Sequence, residues 1–351
     1  MVTTFDIGGR KIGKSQPVFI IAEAGVNHNG DVKMALELVR EAKRCGADCV
    51  KFQTFKAESV VTARARKAAY QLEVTDKQES QLEMLKKIEL PEASYPELMA
   101  LCKHLGIQFL STPYNFADVD LLHRHGVDAF KIASGQMVET PFLEYVARFG
   151  KPMFVSTGMC TLSEVQEGLE SICRAGNSQV VILQCTTNYP SSVEDANIRA
   201  MASMADSLKV LVGYSDHTGS DYSALAAVAL GAVVVEKHFT LDKTLPGPDH
   251  SCSLEPADLA RFVQAIRSVE TALGSHVKAP TEAERRNIAG MRRSIVATRT
   301  IAAGTPISRD HVEFKRPAVG IEPRRLKEVL GKKAKVNIPA DTPLTAEMIE
   351  W

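Results

Sequence analysis

Eight short runs of apolar and β-branched residues recur along this 351-residue chain, and longer amphipathic segments separate them. Such alternation indicates strand, loop and helix units around a parallel sheet, and eight strands are the number that closes a barrel. We therefore predict an α/β fold, a (β/α)8 TIM barrel. The predicted strands are Val18 to Ala24, Cys49 to Thr54, Gln108 to Ser111, Ala129 to Ala133, Pro152 to Ser156, Val180 to Cys185, Lys209 to Tyr214 and Ala232 to Phe239.

The connection from Lys56 to Gln78 is longer than the others and is rich in Lys, Arg, Ala and Thr. Two interpretations of it stay open. It is either a lid or binding loop after the second strand, or a solvated insertion on the surface.

The strand and helix rhythm stops after Gly274, which predicts a barrel domain over residues 1–275. Residues 276–293 are polar and strongly charged, as is typical of a linker. Residues 294–351 combine short β-like pieces with turn residues, and we predict a small β-rich domain there. A domain of this size is small enough to need a partner surface.

Composition excludes several classes of function. Lys and Arg number 42 and Asp and Glu number 42, so the formal charge is zero and does not favour nucleic acid or an anionic membrane. The seven cysteines form no C-x-x-C pair, which favours reduced thiols. No stretch approaches the roughly 18 apolar residues of a membrane span. We expect a cytoplasmic protein that binds neither nucleic acid nor membrane.

Polar side chains cluster at the C-terminal ends of the predicted strands, where barrel enzymes place their active sites. Side chains alternate between the two faces of a strand, so polar residues in phase share one face. A buried polar group without a partner costs roughly 1 to 3 kcal/mol, so this many polar ends predict a pocket and not a core. The residues in phase are Glu23, Lys51, Gln53, Thr112, Lys131, Ser134, Ser156, Thr187, Tyr189, Ser215, His217, Glu236 and His238.

Two lysines of this set, Lys51 and Lys131, supply local cations in a neutral chain. With the neighbouring hydroxyls they predict an anionic substrate, carrying phosphate or carboxylate. Buried ion pairs with nearby carboxylates are the alternative. His217 and His238 end consecutive strands and are a candidate pair of ligands for Mn²⁺, Mg²⁺ or Co²⁺ acting as a Lewis acid. Lys237 is out of phase with its neighbours and is interpreted as structural.

A series of motifs occurs along the chain in a fixed order: IAEAGVNHNGD, VKFQTFKAE, FLSTPY, FKIASGQ, VSTGM, CTTNYPSS, GYSDHT, EKHFTLD and GPDHSCSLEP. With them the chain resembles the sialic acid synthase family, which includes N-acetylneuraminate, legionaminate and pseudaminate synthases. The resemblance covers the barrel nearly end to end. The tail from Ser294 resembles the family's antifreeze-like SAF domain.

The resemblance implies a metal-dependent transferase that condenses phosphoenolpyruvate with the aldehyde of an N-acetylmannosamine-type sugar. The products would be phosphate and a nine-carbon sialic acid, either neuraminate or legionaminate. A pseudaminate synthase, or another synthase joining phosphoenolpyruvate to an aldehyde, is the alternative within enzymes. A non-catalytic carbohydrate-binding protein is the alternative from another class.

The resemblance also implies roles for individual residues. Mn²⁺ would be the preferred metal on His217 and His238, with Mg²⁺ and Co²⁺ as alternatives. Phosphoenolpyruvate would be held by Lys51, Thr112, Lys131, Ser134, Ser156 and Ser215, and the sugar by Glu23, Gln53, Tyr189 and Asp249. We expect Glu23 to act in acid–base catalysis or to orient water, and Glu236 to support the metal-bound water.

Two further positions follow from the same resemblance. Thr187 stands where some neuraminate synthases carry Asn, and Asn188 follows it, so the phosphate contact there would be a hydroxyl or would shift to the next residue. Arg316 matches an arginine that reaches from the SAF domain of one subunit into the barrel of another. The resemblance therefore implies a domain-swapped homodimer.

Overall fold

The structure is a computed structural model that describes residues 2–351. The chain divides into two compact units, with the boundary at Gly274, and each unit has its own apolar core. Within the described residues, no helix is both long and apolar enough to cross a membrane.

The first unit is built around a parallel sheet of eight strands. Its strands are β3 Phe19–Gly25, β4 Cys49–Thr54, β5 Gln108–Pro113, β6 Phe130–Ile132, β7 Met153–Ser156, β8 Val180–Cys185, β9 Leu211–Asp216 and β10 Val234–His238. They are preceded by β1 Thr4–Ile7 and β2 Arg10–Gly13, which form a separate antiparallel hairpin. Hydrogen bonds join the eight parallel strands in the order β5-β4-β3-β10-β9-β8-β7-β6, and β5 lies beside β6, so the sheet nearly closes on itself. The predicted TIM-barrel fold is confirmed.

Helices follow the strands, and most of them pack on the outer face of the barrel. They are α1 Val32–Arg44, α5 Tyr95–Leu105, α6 Phe116–His125, α7 Thr140–Ala147, α8 Leu162–Arg174, α9 Arg199–Leu208, α10 Tyr222–Ala229 and α11 Pro256–Leu273. Three short helices of the connection after β4, α2 Ala57–Val60, α3 Ala69–Val74 and α4 Gln81–Lys87, lie at the C-terminal end of the barrel instead. The sequence supplies helix ends: Asp31 accepts a hydrogen bond from the Lys33 amide at the start of α1, and Gly106 ends α5 with left-handed backbone.

Inward-facing side chains change from apolar to polar along the barrel axis. The N-terminal layer is a buried cluster that includes Phe19, Phe154 and Val234, with the Phe19 and Phe154 rings stacked 5.9 Å apart. The β1–β2 hairpin, which the sequence analysis missed, packs Ile7 and Ile12 onto this cluster. The hairpin closes the N-terminal end of the barrel. The polar side chains lie at the other, C-terminal end.

The second unit contains α12 Glu282–Met291, α13 Leu326–Val329 and a two-stranded antiparallel sheet of β11 Ser294–Ala297 and β12 Val312–Lys315. The range 276–293, predicted as a linker, thus holds a helix, but α12 buries none of its side chains. A signal for this helix was present in the sequence, because Thr281 and Glu284 form a capping box at its start.

Candidate active site

A cavity of about 490 Å³ opens at the C-terminal ends of the barrel strands. It has the size and the mixed polar and apolar lining of a small-molecule site. The predicted site residues that line it are Glu23, Lys51, Gln53, Thr112, Lys131, Ser134, Ser156, Thr187, Tyr189, Ser215, His217, Glu236, His238 and Asp249.

Two of the predicted residues lie elsewhere. Asn188 is exposed and does not line the cavity, whereas Thr187 and Tyr189 on either side of it do. Of the two alternatives left by the sequence, the structure places the Thr187 hydroxyl at the cavity. Arg316 belongs to the second unit, where its Nε donates a hydrogen bond to the Met291 carbonyl at 3.0 Å. Its reach into another subunit remains a prediction.

Two buried lysines share one carboxylate at the base of the cavity. Lys51 Nζ lies 3.0 Å from Glu23 Oε1 and 3.3 Å from Glu236 Oε2. Lys131 Nζ lies 3.7 Å from Glu236 Oε1 and donates to Ser156 Oγ at 2.7 Å. The ion pairs offered as the alternative to anion binding are therefore present. Both ammonium groups still line the cavity, where an anionic ligand would compete for them.

The carboxyl groups of this cluster differ in their affinity for a proton. Burial raises the pKa of Glu23 to about 7, although the charge of Lys51 opposes the rise. Burial acts in the same direction on Glu236, but the charges of Lys131 and Lys51 outweigh it and hold the pKa of Glu236 at about 2. Two carboxyl groups with such different pKa values can take different roles, one carrying a proton and the other remaining an anion. Glu23 is the member suited to exchange a proton near neutral pH.

Hydroxyl groups converge on the loop after β7. Ser134 Oγ accepts a hydrogen bond from the Gly158 amide at 3.0 Å. A Cβ atom at position 158 would clash with Thr187 Oγ1 and lie 2.8 Å from Ser134 Oγ. Glycine is required there because it lets the two hydroxyls approach the same stretch of backbone. The result is a small group of hydrogen-bond donors beside Lys131.

The two histidines lie together, as predicted, with ring centroids 5.3 Å apart. His217 Nδ1 is 2.7 Å from the Thr186 carbonyl and donates to it, which leaves Nε2 as the nitrogen available to a metal. Burial opposes protonation of His217, but the neighbouring Cys185 outweighs it and raises the pKa of this histidine. His238 Nδ1 is buried without a hydrogen-bond partner, 3.9 Å from Asp249 Oδ2. Burial, together with the neighbouring His217, lowers the pKa of His238 well below its usual value.

The features of His238 fit a metal ligand, since a metal binds the neutral imidazole, whereas a metal on His217 would compete with a proton. Residues 2–351 nevertheless hold no group of three or more His, Cys, Asp or Glu side chains arranged around one metal position. A metal held by His217 and His238 would therefore depend on solvent or substrate for its other ligands.

Sequence reasoning missed several residues of the cavity. Tyr114 donates a hydrogen bond to Gln53 Oε1 at 3.2 Å, and Cys185 Sγ lies 3.8 Å from His217 Nδ1. Both could have been found, because they are in phase with Thr112 and Thr187 respectively. Residues of the connection after β4, such as Tyr70, carry no such signal.

Comparisons with known families, sequences and structures agree with one another. A model described as the NeuB family matches residues 38–278, and one described as the SAF domain matches residues 292–350. The N,N'-diacetyllegionaminic acid synthase of Campylobacter jejuni is 45% identical over 324 residues, covering 92% of this chain and 97% of that protein. That of Legionella pneumophila is 44% identical over 342 residues, covering 96% of each.

Among solved structures, an N-acetylneuraminic acid synthetase from Leptospira borgpetersenii aligns with a TM-score of 0.73 at 31% identity. The alignment covers 81% of this chain and 95% of that one. Pseudaminic acid synthases are more distant relatives.

Proposed function

Because this chain belongs to the NeuB family and carries a SAF domain, we propose that it condenses phosphoenolpyruvate with the aldehyde of an N-acetylated mannosamine-type sugar. The products are phosphate and a nine-carbon 2-keto acid of the neuraminate or legionaminate type. The observation that carries the proposal is the convergence of Lys51, Lys131 and the protonatable Glu23 on one cavity.

Phosphoenolpyruvate takes the side of the cavity that carries the lysines and hydroxyls. Its phosphate and carboxylate replace part of the charge that Glu23 and Glu236 supply to Lys51 and Lys131. The hydroxyls of Ser134 and Thr187 provide further donors for the phosphate. Charge-assisted hydrogen bonds of this kind fix the enol in one orientation, which raises the rate by positioning.

The reaction forms one carbon–carbon bond. C3 of the enol attacks the aldehyde carbon, whose oxygen gains a proton, and positive charge develops at C2. Water adds to C2 and loses a proton, after which phosphate leaves with cleavage of its bond to that carbon. Glu23 gives the proton to the aldehyde oxygen, because its raised pKa keeps the carboxyl partly protonated near neutral pH. Glu236 stays ionised and balances the charge of the lysines.

His217 and His238 would hold the divalent cation that we propose for this enzyme, with Mn²⁺ preferred over Mg²⁺ or Co²⁺. When bound, the cation supplies Lewis-acid polarisation of the aldehyde oxygen. The unpartnered Nδ1 of His238 supports this assignment. His238→Ala should abolish activity and leave the circular dichroism spectrum unchanged, and full activity in metal-supplemented assays would remove His238 from the metal site.

Arg316 is proposed to contact the N-acetyl group of the sugar from the SAF domain of a second subunit, in a domain-swapped homodimer. Mass measurement by light scattering tests the assembly. A monomer with full activity would contradict it.

The test of the activity is direct. We expect phosphate release when the protein is incubated with phosphoenolpyruvate, Mn²⁺ and either N-acetylmannosamine or a 2,4-diacetamido-6-deoxy analogue, with the strongly impaired variant Lys131→Met as the control. Mass spectrometry should find the nine-carbon acid in equal amount. If neither sugar yields phosphate above the control, the synthase assignment is wrong and a non-catalytic carbohydrate-binding protein becomes the better explanation.

A further inference from the structure

A chain of hydrogen bonds links the C-terminal ends of three neighbouring strands, β5, β4 and β3. The Tyr114 hydroxyl, just after β5, donates to Gln53 Oε1 at 3.2 Å, and Gln53 Nε2 donates to Glu23 Oε1 at 3.3 Å. All three side chains line the cavity. Of the three, only Glu23 exchanges a proton in the proposed reaction.

The neighbours of Gln53 fix the orientation of its amide group. An ionised carboxylate only accepts hydrogen bonds, so the amide nitrogen faces Glu23 and the amide oxygen faces Tyr114. Burial raises the pKa of Tyr114 to about 12, although the charge of Lys51 opposes the rise, so the phenol keeps its hydrogen at neutral pH. A neutral amide does not titrate at this pH. The chain therefore orients the carboxyl group and does not carry protons to it.

Packing and backbone hydrogen bonds hold the phenol in place. The Tyr114 amide donates to the Thr54 carbonyl at 3.2 Å, and the Tyr114 carbonyl accepts from Gln136 Nε2 at 3.3 Å. The Tyr114 ring packs edge-on against Phe55, with centroids 5.7 Å apart. A side chain fixed in this way keeps its hydroxyl directed at Gln53 before any ligand binds.

The two carboxyl oxygens of Glu23 have different surroundings. Oε1 accepts from Gln53 and lies 3.0 Å from Lys51 Nζ. Gly25 gives these groups room, because a Cβ atom on its left-handed backbone would lie 3.2 Å from Oε1 and 3.4 Å from Gln53 Nε2. Oε2 is buried and has no hydrogen-bond partner among residues 2–351. A proton on Oε1 would face two other donors, so Oε2 is the oxygen that can carry it.

We propose that Glu23 delivers its proton from Oε2, and that Tyr114, acting through Gln53, is the positioning residue that keeps Oε1 unprotonated. The inference rests on the proposed function and adds to it one residue and one atom. In the step, the bond from Oε2 to hydrogen breaks, and a bond from hydrogen to the aldehyde oxygen forms as C3 joins the aldehyde carbon. Lys51 and Gln53 stabilise the carboxylate that remains. The water that adds to C2 releases a proton, which balances the one transferred.

The role of Tyr114 follows from what its loss would allow. Without the phenol, Gln53 Oε1 loses its donor, and the amide gains by turning its oxygen towards Glu23. An amide oxygen in that place accepts a hydrogen bond from a protonated Oε1, and so holds the proton away from the substrate. Tyr114→Phe keeps the ring and its packing. It should therefore slow the proton transfer and leave substrate binding unchanged.

The test is a double-mutant cycle that measures the rate of a single turnover and the KM of each substrate. Tyr114→Phe should lower the single-turnover rate about tenfold and leave both KM values nearly unchanged. Gln53→Met should lower the rate at least as much. In the Gln53→Met background, Tyr114→Phe should have no further effect, because the group through which it acts is gone.

Tyr95→Phe is the matched control. It also removes a buried tyrosine hydroxyl that bonds to β4, since Tyr95 donates to Thr54 Oγ1 at 2.8 Å, but neither residue lines the cavity. The single-turnover rate of this variant should equal that of the wild type. An equal loss of rate in Tyr95→Phe and Tyr114→Phe would overturn the inference, because any buried hydroxyl would then serve.

Other outcomes separate the inference from the proposed function. An active wild type whose rate is unchanged by Tyr114→Phe, or lowered by the same factor with and without Gln53, would overturn the inference alone. A raised KM for the sugar at an unchanged rate would do the same, because Tyr114 would then contact the sugar. If Tyr114→Phe does not fold, an unchanged rate in Gln53→Met overturns the inference. A wild type that releases no phosphate would remove both.

Discussion

Two buried systems of lysine and carboxylate lie on opposite faces of one strand. On the inner face of β10, Glu236 sits between Lys51 and Lys131. On the outer face, Lys237 pairs with Asp216 at 2.8 Å, with side-chain exposures of 1% and 0%. The inner system borders a cavity and the outer one is sealed, although adjacent residues of the sequence supply them.

The two systems differ in how completely their hydrogen bonds are satisfied. Lys237 Nζ donates to Asp216 and to the carbonyls of Thr218 and Ser220, while Asp216 Oδ1 accepts from the amide and hydroxyl of Thr218. In the inner system, Oε2 of Glu23 is buried without a hydrogen-bond partner, and Oε2 of Glu236 has the Lys51 charge at 3.3 Å but accepts no hydrogen bond. A buried charge alone therefore does not identify a functional site. Buried polar atoms that lack hydrogen bonds and lie beside a cavity do identify one, because they can still bond to a ligand.

Among changes to the two lysine–carboxylate systems, the largest effect is expected from replacing Glu23, the proton carrier of the inner system. Glu23→Gln should lower kcat by about 10²- to 10⁴-fold, the usual contribution of a general acid. Protonated Glu23 is the active form, so wild-type kcat/KM should fall as the pH rises through about 7. The residual activity of Glu23→Gln should lack this limb. A wild-type limb that persists in the variant would assign it to another group.

Removing one inner cation should have the next largest effect. Lys131→Met should lower kcat/KM by about 10²- to 10³-fold, as the loss of one preorganised electrostatic donor does. The KM for phosphoenolpyruvate should rise, because the variant keeps only Lys51 for the anion. Thermal unfolding should change little, since Glu236 retains Lys51 and Ser215 as partners. A large loss of stability with normal activity would make the inner lysines structural.

Breaking the ion pair of the outer system should lower stability and leave activity nearly unchanged. Lys237→Met leaves Asp216 buried and unpaired, which should lower the free energy of unfolding by about 3–5 kcal/mol. The kcat/KM of the folded fraction should change little, because Lys237 does not line the cavity. Urea unfolding and steady-state kinetics measure the two quantities. The double variant Lys237→Met, Asp216→Leu is the control and should recover most of the stability, because it leaves no buried charge.

The smallest effect is expected in the second unit. Arg316→Ala should raise the KM for the sugar about tenfold, the value of one charge-assisted hydrogen bond, with little change in the KM for phosphoenolpyruvate. Steady-state kinetics with each substrate varied in turn make the distinction. Equal changes in both KM values would contradict the proposed contact with the sugar.

Strand periodicity predicted much of the barrel and its inner face. The eight strands were located from their apolar runs, and the alternation of side chains placed Glu236 and His238 inward and Lys237 outward, as the structure has them. The same rule would have found Tyr114 and Cys185. These features depend on the local geometry of a strand, which a sequence records directly.

Other features depend on contacts between residues that are distant in sequence. Glu23 and Glu236 look alike in the sequence, and their pKa values differ because Lys131 lies close to only one of them. The β1–β2 hairpin has no partner until the barrel supplies a surface for its apolar residues.

The sequence by itself thus determined which side chains face the inside of the barrel and at which end the polar ones lie, because the period of a strand is local. Only the tertiary structure decided how those side chains pair and what lies over them. Electrostatic and packing energies depend on distance in space, and the connection after β4 brings the ring of Tyr70 within 5.1 Å of that of Tyr189, far along the chain.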